Sequence, residues 1–146
     1  IPKRDWSSDV CSSDLANDLT VTGNTSVGGA VTNVGNLSVT GTSTVSADVT
    51  TTGNQTYSGA LTLSGNRVLS GATVHTASTV TAGGGNLTIT GNADIDAAVT
   101  SVGNLSVSGT SDLGANVTTT GTQTYTGAVA LSGGSRNLTG TTVSFV

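Results

Sequence analysis

Apolar residues in this chain alternate with small hydroxylated ones in short runs, and most runs stop at a glycine. In Leu19-Thr20-Val21-Thr22 the period is two, so Leu19 and Val21 point to one side of an extended chain and Thr20 and Thr22 to the other. Gly23-Asn24 follows, a pair that tolerates the positive φ of a sharp corner. The same corner recurs at Gly35, Gly53, Gly65, Gly85, Gly91 and Gly103, each followed by Asn. Thr, Val and Ser are poor helix formers and fit a pleated strand instead, so the pattern predicts an all-β chain.

Two periods are superimposed on this alternation. Residues 19–65 return 68 positions later as residues 87–133, with roughly two thirds of the positions identical. Within that copy a shorter period of about 18 residues relates Leu19, Leu37 and Gln55, then Val21, Val39 and Tyr57, then Val31 and Val49, and Val27, Val45 and Leu63. Short strands turning at Gly corners with this period predict a single-chain parallel β-helix, a β-solenoid with about three strands per coil. Reading four coils of about 17 residues into one long repeat gives seven to eight coils over residues 16–146, in copies 19–86 and 87–146. At about 4.8 Å per coil the rod is expected to be about 35 Å long. On that reading Leu19, Leu37, Leu87 and Leu105 fall in one core column, Tyr57 and Tyr125 fill matching interior positions, and Asn36 above Asn54 starts an amide ladder. Open ends without caps are expected to fray or to self-associate end to end.

The first fifteen residues stand apart. The string from Asp5 to Leu15, DWSSDVCSSDL, resembles the translation of a sequencing-library adapter, of the kind found at the ends of metagenomic contigs. Residues 1–15 are therefore set aside as a non-native tail, and the remainder is expected to be part of a longer protein. With the tail go the only Cys (Cys11), Trp (Trp6), Pro (Pro2) and Lys (Lys3). What is left has five acids (Asp18, Asp48, Asp94, Asp96, Asp112) and two bases (Arg67, Arg136), so 5 − 2 leaves a net charge of −3. Such a surface neutralises few phosphates, which argues against nucleic-acid binding. No apolar run approaches the roughly 20 residues of a membrane-spanning helix. Without Cys outside the tail there is no disulfide framework and no thiolate metal site.

The repeat TTTGNQTYSGALTLSGN from Thr50, returning as TTTGTQTYTGAVALSGG from Thr118, resembles the long repeats of filamentous-haemagglutinin-like and autotransporter-type bacterial adhesins. The resemblance spans nearly all of residues 16–146. It implies a right-handed β-helical stalk, extracellular or on the bacterial cell surface, with host-cell or matrix receptors or glycans as partners. The secretion and anchoring domains of that family are not in this chain. The opening LTVTGNTSVGG also resembles repeats of trimeric phage tail fibres.

Candidate chemistry is sparse. His75 is the only histidine, with no Asp within several residues along the chain, and reads as an exposed or strand-edge side chain. Asp94 and Asp96 flank an inward Ile95, an arrangement found in polysaccharide-cleaving β-helices and in Ca²⁺ sites. Their counterparts in the first copy are Ser26 and Gly28, no base accompanies them, and a solvated surface is the simpler reading. The outward residues Thr20, Thr22, Ser38, Thr40, Thr56, Ser58, Thr88, Thr90, Ser106, Ser108, Thr124 and Thr126 are expected to stack into a hydroxyl-bearing ladder, which resembles the threonine arrays of ice-binding solenoids. The sequons at Asn24, Asn36, Asn54, Asn86, Asn104, Asn116 and Asn137 follow from the corner chemistry and do not by themselves imply glycosylation. The expectation is a non-enzymatic chain with no catalytic residue, no metal and no cofactor.

Overall fold

The computed structural model describes residues 17–146, and every regular element among them is a β-strand. The adapter-like segment lies outside the described residues. Every strand pairs in parallel with its equivalent one coil on, and the chain winds through about seven coils with three faces, A, B and C. Face B is a seven-stranded sheet: Thr25–Val27, Ser43–Val45, Leu61–Leu63, Val80–Thr81, Val99–Val102, Val117–Thr119 and Leu138–Thr139. Faces A and C are joined into one eleven-stranded sheet because Val31–Val39, Arg67–Thr76 and Leu87–Ile95 run unbroken around the corner between them.

Register makes the columns explicit. On face A, Leu19 pairs with Leu37, Leu37 with Gln55, Gln55 with Val74, and Val74 with Ala93. On face C, Val31, Val49, Leu69, Ile89, Val107, Tyr125 and Phe145 follow one another. On face B, Val27 lies on Val45 and Val45 on Leu63. The coil advances 18 residues between Leu19 and Leu37 and 21 between Val117 and Leu138, longer than the 17 expected, so seven coils account for the chain.

The longer coil changes the phase of the repeat. Leu19 sits on face A, but Leu87 sits on face C, where it pairs with Arg67 below and Leu105 above. The 68-residue copy therefore spans three coils and two faces, not four whole coils. Leu19 and Leu37 form one column and Leu87 and Leu105 another, so the single column expected for all four does not form. The second copy is the first one rotated by one face.

Side-chain bonding survives that rotation. In the first copy the fully buried Gln55 donates its amide to the carbonyls of Val49 (3.2 Å) and Ser70 (2.8 Å) and accepts from the Tyr57 hydroxyl at 2.9 Å. In the second, Gln123 donates to Val117 (3.1 Å) and Thr139 (2.8 Å) and accepts from Tyr125 at 2.9 Å. The Thr51 hydroxyl donates to the Gly53 carbonyl, as Thr119 does to Gly121. Asn33 (φ 58°) and Ser101 (φ 56°), 68 residues apart, hold the same left-handed kink beside a register shift. Burial raises the Tyr125 hydroxyl to about 12 and shifts Tyr57 the same way, so both phenols stay protonated and serve as donors.

Corners are tied along the axis by asparagine, in a form simpler than an amide ladder. Asn36 Oδ1 accepts the Asn54 backbone N–H at 2.8 Å, and Asn86 and Asn104 repeat this for Asn104 and Thr122 at 2.8 and 2.7 Å. One amide–amide contact accompanies them, Asn104 Nδ2 donating to Asn86 Oδ1 at 3.1 Å. Asp18 serves the Asn36 N–H in the same manner. These bonds satisfy corner donors that the strand ladders leave unpaired. They require glycine beside them: a methyl at Gly53 would overlap the Asn36 side chain, and one at Gly91 (φ 124°) would overlap the Gly71 carbonyl.

The core is aliphatic along its middle and open at its ends. Val45, Val49, Leu69, Val74, Val99, Val107 and Leu113 are wholly buried, whereas Leu19, Leu131, Phe145 and Val146 are exposed in the terminal coils. Three buried hydroxyls, Ser43 Oγ, Thr76 Oγ1 and Ser111 Oγ, have no hydrogen-bond partner. Gly91→Ala is expected to destabilise by about 3 kcal/mol or more, since φ and the Gly71 contact both oppose a Cβ. Thr76→Val keeps the volume and removes an unpaired polar group, and is expected to stabilise by about 1 kcal/mol. Thermal or urea melts of the two variants beside the parent check both values.

Candidate functional site

The outward positions of each face form their own columns. On face A the column runs Thr20, Ser38, Thr56, His75, Asp94, Asp112 and Ala130. On face C it runs Val68, Thr88, Ser106, Thr124 and Ser144. The hydroxyl ladder expected over both copies is thus split between two faces: Thr20, Ser38 and Thr56 belong to A, and Thr88, Ser106 and Thr124 to C. The cause is the rotated repeat. Thr22, Thr40, Ser58, Ser108 and Thr126 lie at corners, where Thr40 Oγ1 accepts the Gly23 N–H and Ser108 Oγ the Gly91 N–H, each at 3.0 Å, whereas Thr90 stays within its strand and follows Thr50 and Ser70 in a second outward row on face C.

A longer ladder occupies face B and was not among the expected positions. Ser26, Thr44, Thr62, Thr81 and Thr100 follow one another in register. Thr118 and Thr139 continue the row one pair beyond Val99 and Val117. All but Thr81 are exposed. The signal was present as the residue before Val27, Val45 and Leu63 in a column already recognised from the period.

The most polar cluster is on face A, where the hydroxyl column ends. His75 Nε2 lies 3.0 Å from Asp96 Oδ2, and donor atoms of His75, Asp94 and Asp96 all fall within 4.8 Å of one another. His75 and Asp94 are half-buried and Asp96 is exposed. The reading of His75 as a side chain without a nearby carboxylate is therefore corrected: sequence separations of 19 and 21 residues (His75 to Asp94 and Asp96) are one coil in space. Asp112 stands one coil further along the column. A shallow groove of about 450 Å³ adjoins, lined by Thr73, Asn92, Asp94, Asp112 and Ala130 among others.

Neither Arg67 nor Arg136 serves this cluster. Arg67 pairs with Asp48 at 3.5 Å and donates to the Ser64 carbonyl at 2.6 Å. Arg136 donates to the carbonyls of Ser132 (2.5 Å) and Ser135 (3.1 Å). Two further depressions, about 560 and 260 Å³, are the open apolar ends of the solenoid, lined by Leu131, Leu138, Phe145 and Val146 at one end and by Leu19, Val21, Val27 and Val31 at the other.

The chain matches no family model, no curated protein and no solved structure.

Desolvation, with smaller contributions from Asp96 and Asp112, raises the Asp94 carboxyl above its ordinary value, and His75 opposes the shift. The folded chain consequently holds this proton more tightly than the unfolded chain. Its contribution to stability falls as pH climbs through the carboxylate range and is restored as pH drops below it. Asp94→Asn is expected to raise the melting temperature at pH 7, with the gain shrinking toward zero as the melts are repeated at progressively more acidic pH.

Proposed function

We propose that the chain is a stiff, non-enzymatic stalk segment of a secreted or surface-displayed bacterial adhesin, which presents a weak binding surface many times over. The observation that carries this reading is the unbroken stack of about seven coils, whose core is filled by one chain and whose outer faces are covered with Thr and Ser. A solenoid of this kind gains stability from each added coil, so length costs little and reach follows from repetition. The repeat's resemblance to haemagglutinin-like adhesins points the same way. The apolar ends, with Leu131 and Phe145 at one and Leu19 at the other, suit further coils or end-to-end self-association. A core filled within one chain weighs against the intertwined trimer of a phage tail fibre.

Hydrolase or lyase chemistry gains little support. It would set Asp94 and Asp96 in a groove beside a base, and Arg67 and Arg136 are bound elsewhere. Beads coated densely with the chain are expected to adhere to epithelial cells, extracellular matrix or immobilised glycans several-fold above beads carrying an unrelated acidic protein. Monomeric chain is expected to bind the same surfaces weakly. Adherence no better than the control, or release of sugar products from a polysaccharide panel that Asp94→Asn abolishes, would overturn the proposal.

The face B ladder favours a second reading, binding to a regular lattice such as ice or a crystalline polysaccharide. Seven outward hydroxyl residues, five of them in unbroken register from Ser26 to Thr100, repeat at about the 4.8 Å coil spacing on one sheet. Under the adhesin reading, freezing-point measurements show no thermal hysteresis. Hysteresis that disappears in Thr62→Lys, at the middle of the row, would transfer the function to face B.

A further inference from the structure

We propose that His75, Asp94 and Asp96 form a binding site for a divalent transition-metal ion such as Zn²⁺, which ties two neighbouring coils together. The set is mixed, one imidazole nitrogen and two carboxylates, and imidazole with carboxylate suits Zn²⁺ and its neighbours rather than Ca²⁺, which takes oxygen ligands alone. Tetrahedral zinc with bonds of about 2.0–2.2 Å places its donor atoms about 3.4 Å apart. The His75–Asp96 separation of 3.0 Å already lies close to that edge, and all three donors are within 4.8 Å. The Asp94 oxygen therefore stands no more than about 1.4 Å beyond that edge. The strands beneath are held by the parallel pairing of His75 with Asp94, so the backbone does not have to move.

Charge and access both fit a cation. Asp94, Asp96 and Asp112 crowd one stretch of face A, His75 is the base beside them, and neither Arg67 nor Arg136 reaches them. Asp96 is exposed and the groove opens beside Asp94, so water can complete the coordination shell. His75 comes from one coil and the two aspartates from the next, across the interface on which solenoid stability depends. A bound ion would act there as a cross-strut. The proposal is independent of the adhesive reading, since a stalk of any purpose gains from it.

The test uses the full chain carrying Cys11→Ser, which removes its only thiol. Titration calorimetry with ZnCl₂ is expected to show one equivalent bound, and Co²⁺ to give the visible absorption of a low-symmetry site. Zinc is also expected to raise the melting temperature. His75→Gln and Asp96→Asn should each weaken binding by about tenfold or more and abolish the thermal shift. Asp48→Asn, remote from the cluster, should change neither. An absence of zinc binding overturns the proposal, as does affinity unchanged in His75→Gln. Ca²⁺ binding equal to that of Zn²⁺ and indifferent to His75 would also overturn it, showing a diffuse acidic surface only.

Discussion

Everything in this molecule depends on each strand lying in register on its own equivalent one coil away. That single constraint satisfies the backbone, because each coil hands its N–H and C=O groups to the next. It also selects the side chains, because a residue that fits between its neighbours above and below must resemble them. Val31, Val49, Leu69, Ile89 and Val107 form one such series, and its growth to Tyr125 and Phe145, whose rings stack at 5.6 Å, shows how gradually the section changes. Where polarity enters the core it brings its own partners, as with Gln55 and Tyr57. Where it does not, as at Thr76, stability is lost.

The three faces are nearly interchangeable. A 68-residue copy moved from face A to face C keeps its buried Gln–Tyr pair, its threonine bond and its kinked Asn or Ser. Such tolerance is possible only if the cross-section has approximate threefold symmetry, so that a segment meets similar neighbours on any side. Duplication of the gene segment then did not have to preserve a whole number of coils. A third copy at the same offset would occupy the remaining face, and a ligand-binding feature written into the repeat would spiral around the rod.

Much of the fold was legible because the alternation and the 18-residue period are strong local signals. The inward residues Leu37, Val39, Val45 and Leu63 were readable as such, and their pairings hold. What could not be read was the phase between copies. Coil length drifts between 18 and 21 residues as corners gain or lose a residue, and a drift of a few residues over 68 moves a strand to the next face. The His75 cluster was hidden for the same reason. Its residues lie in the stretch where the period stretches to 19 or more, and adjacency along the axis leaves no trace in adjacency along the chain. The face B row was missed for a different reason. Its residues stand in strands of three, Thr25–Val27 and Ser43–Val45 among them, whose flanking positions include Ser and Thr, so the alternation there is weaker than in Leu19-Thr20-Val21.

The rotated repeat bears directly on what kind of recognition the rod can perform. A flat lattice demands one face carrying the same groups throughout, but His75, Asp94 and Asp112 interrupt the hydroxyl column of A, and Val68 interrupts one of the two columns of C. Face C carries a second row, Thr50, Ser70 and Thr90, beside the column that Val68 interrupts, and face B offers a single row flanked by corners of mixed composition: Asn24, Thr42 and Ala60 on one side and Gly28, Ser46 and Ser64 on the other. A partner that needs two matched rows along the whole rod finds none, whereas a partner that needs one short patch finds hydroxyls on every face. Recognition from any direction, weak at each patch and multiplied by length, suits a filament that meets its target at an arbitrary angle.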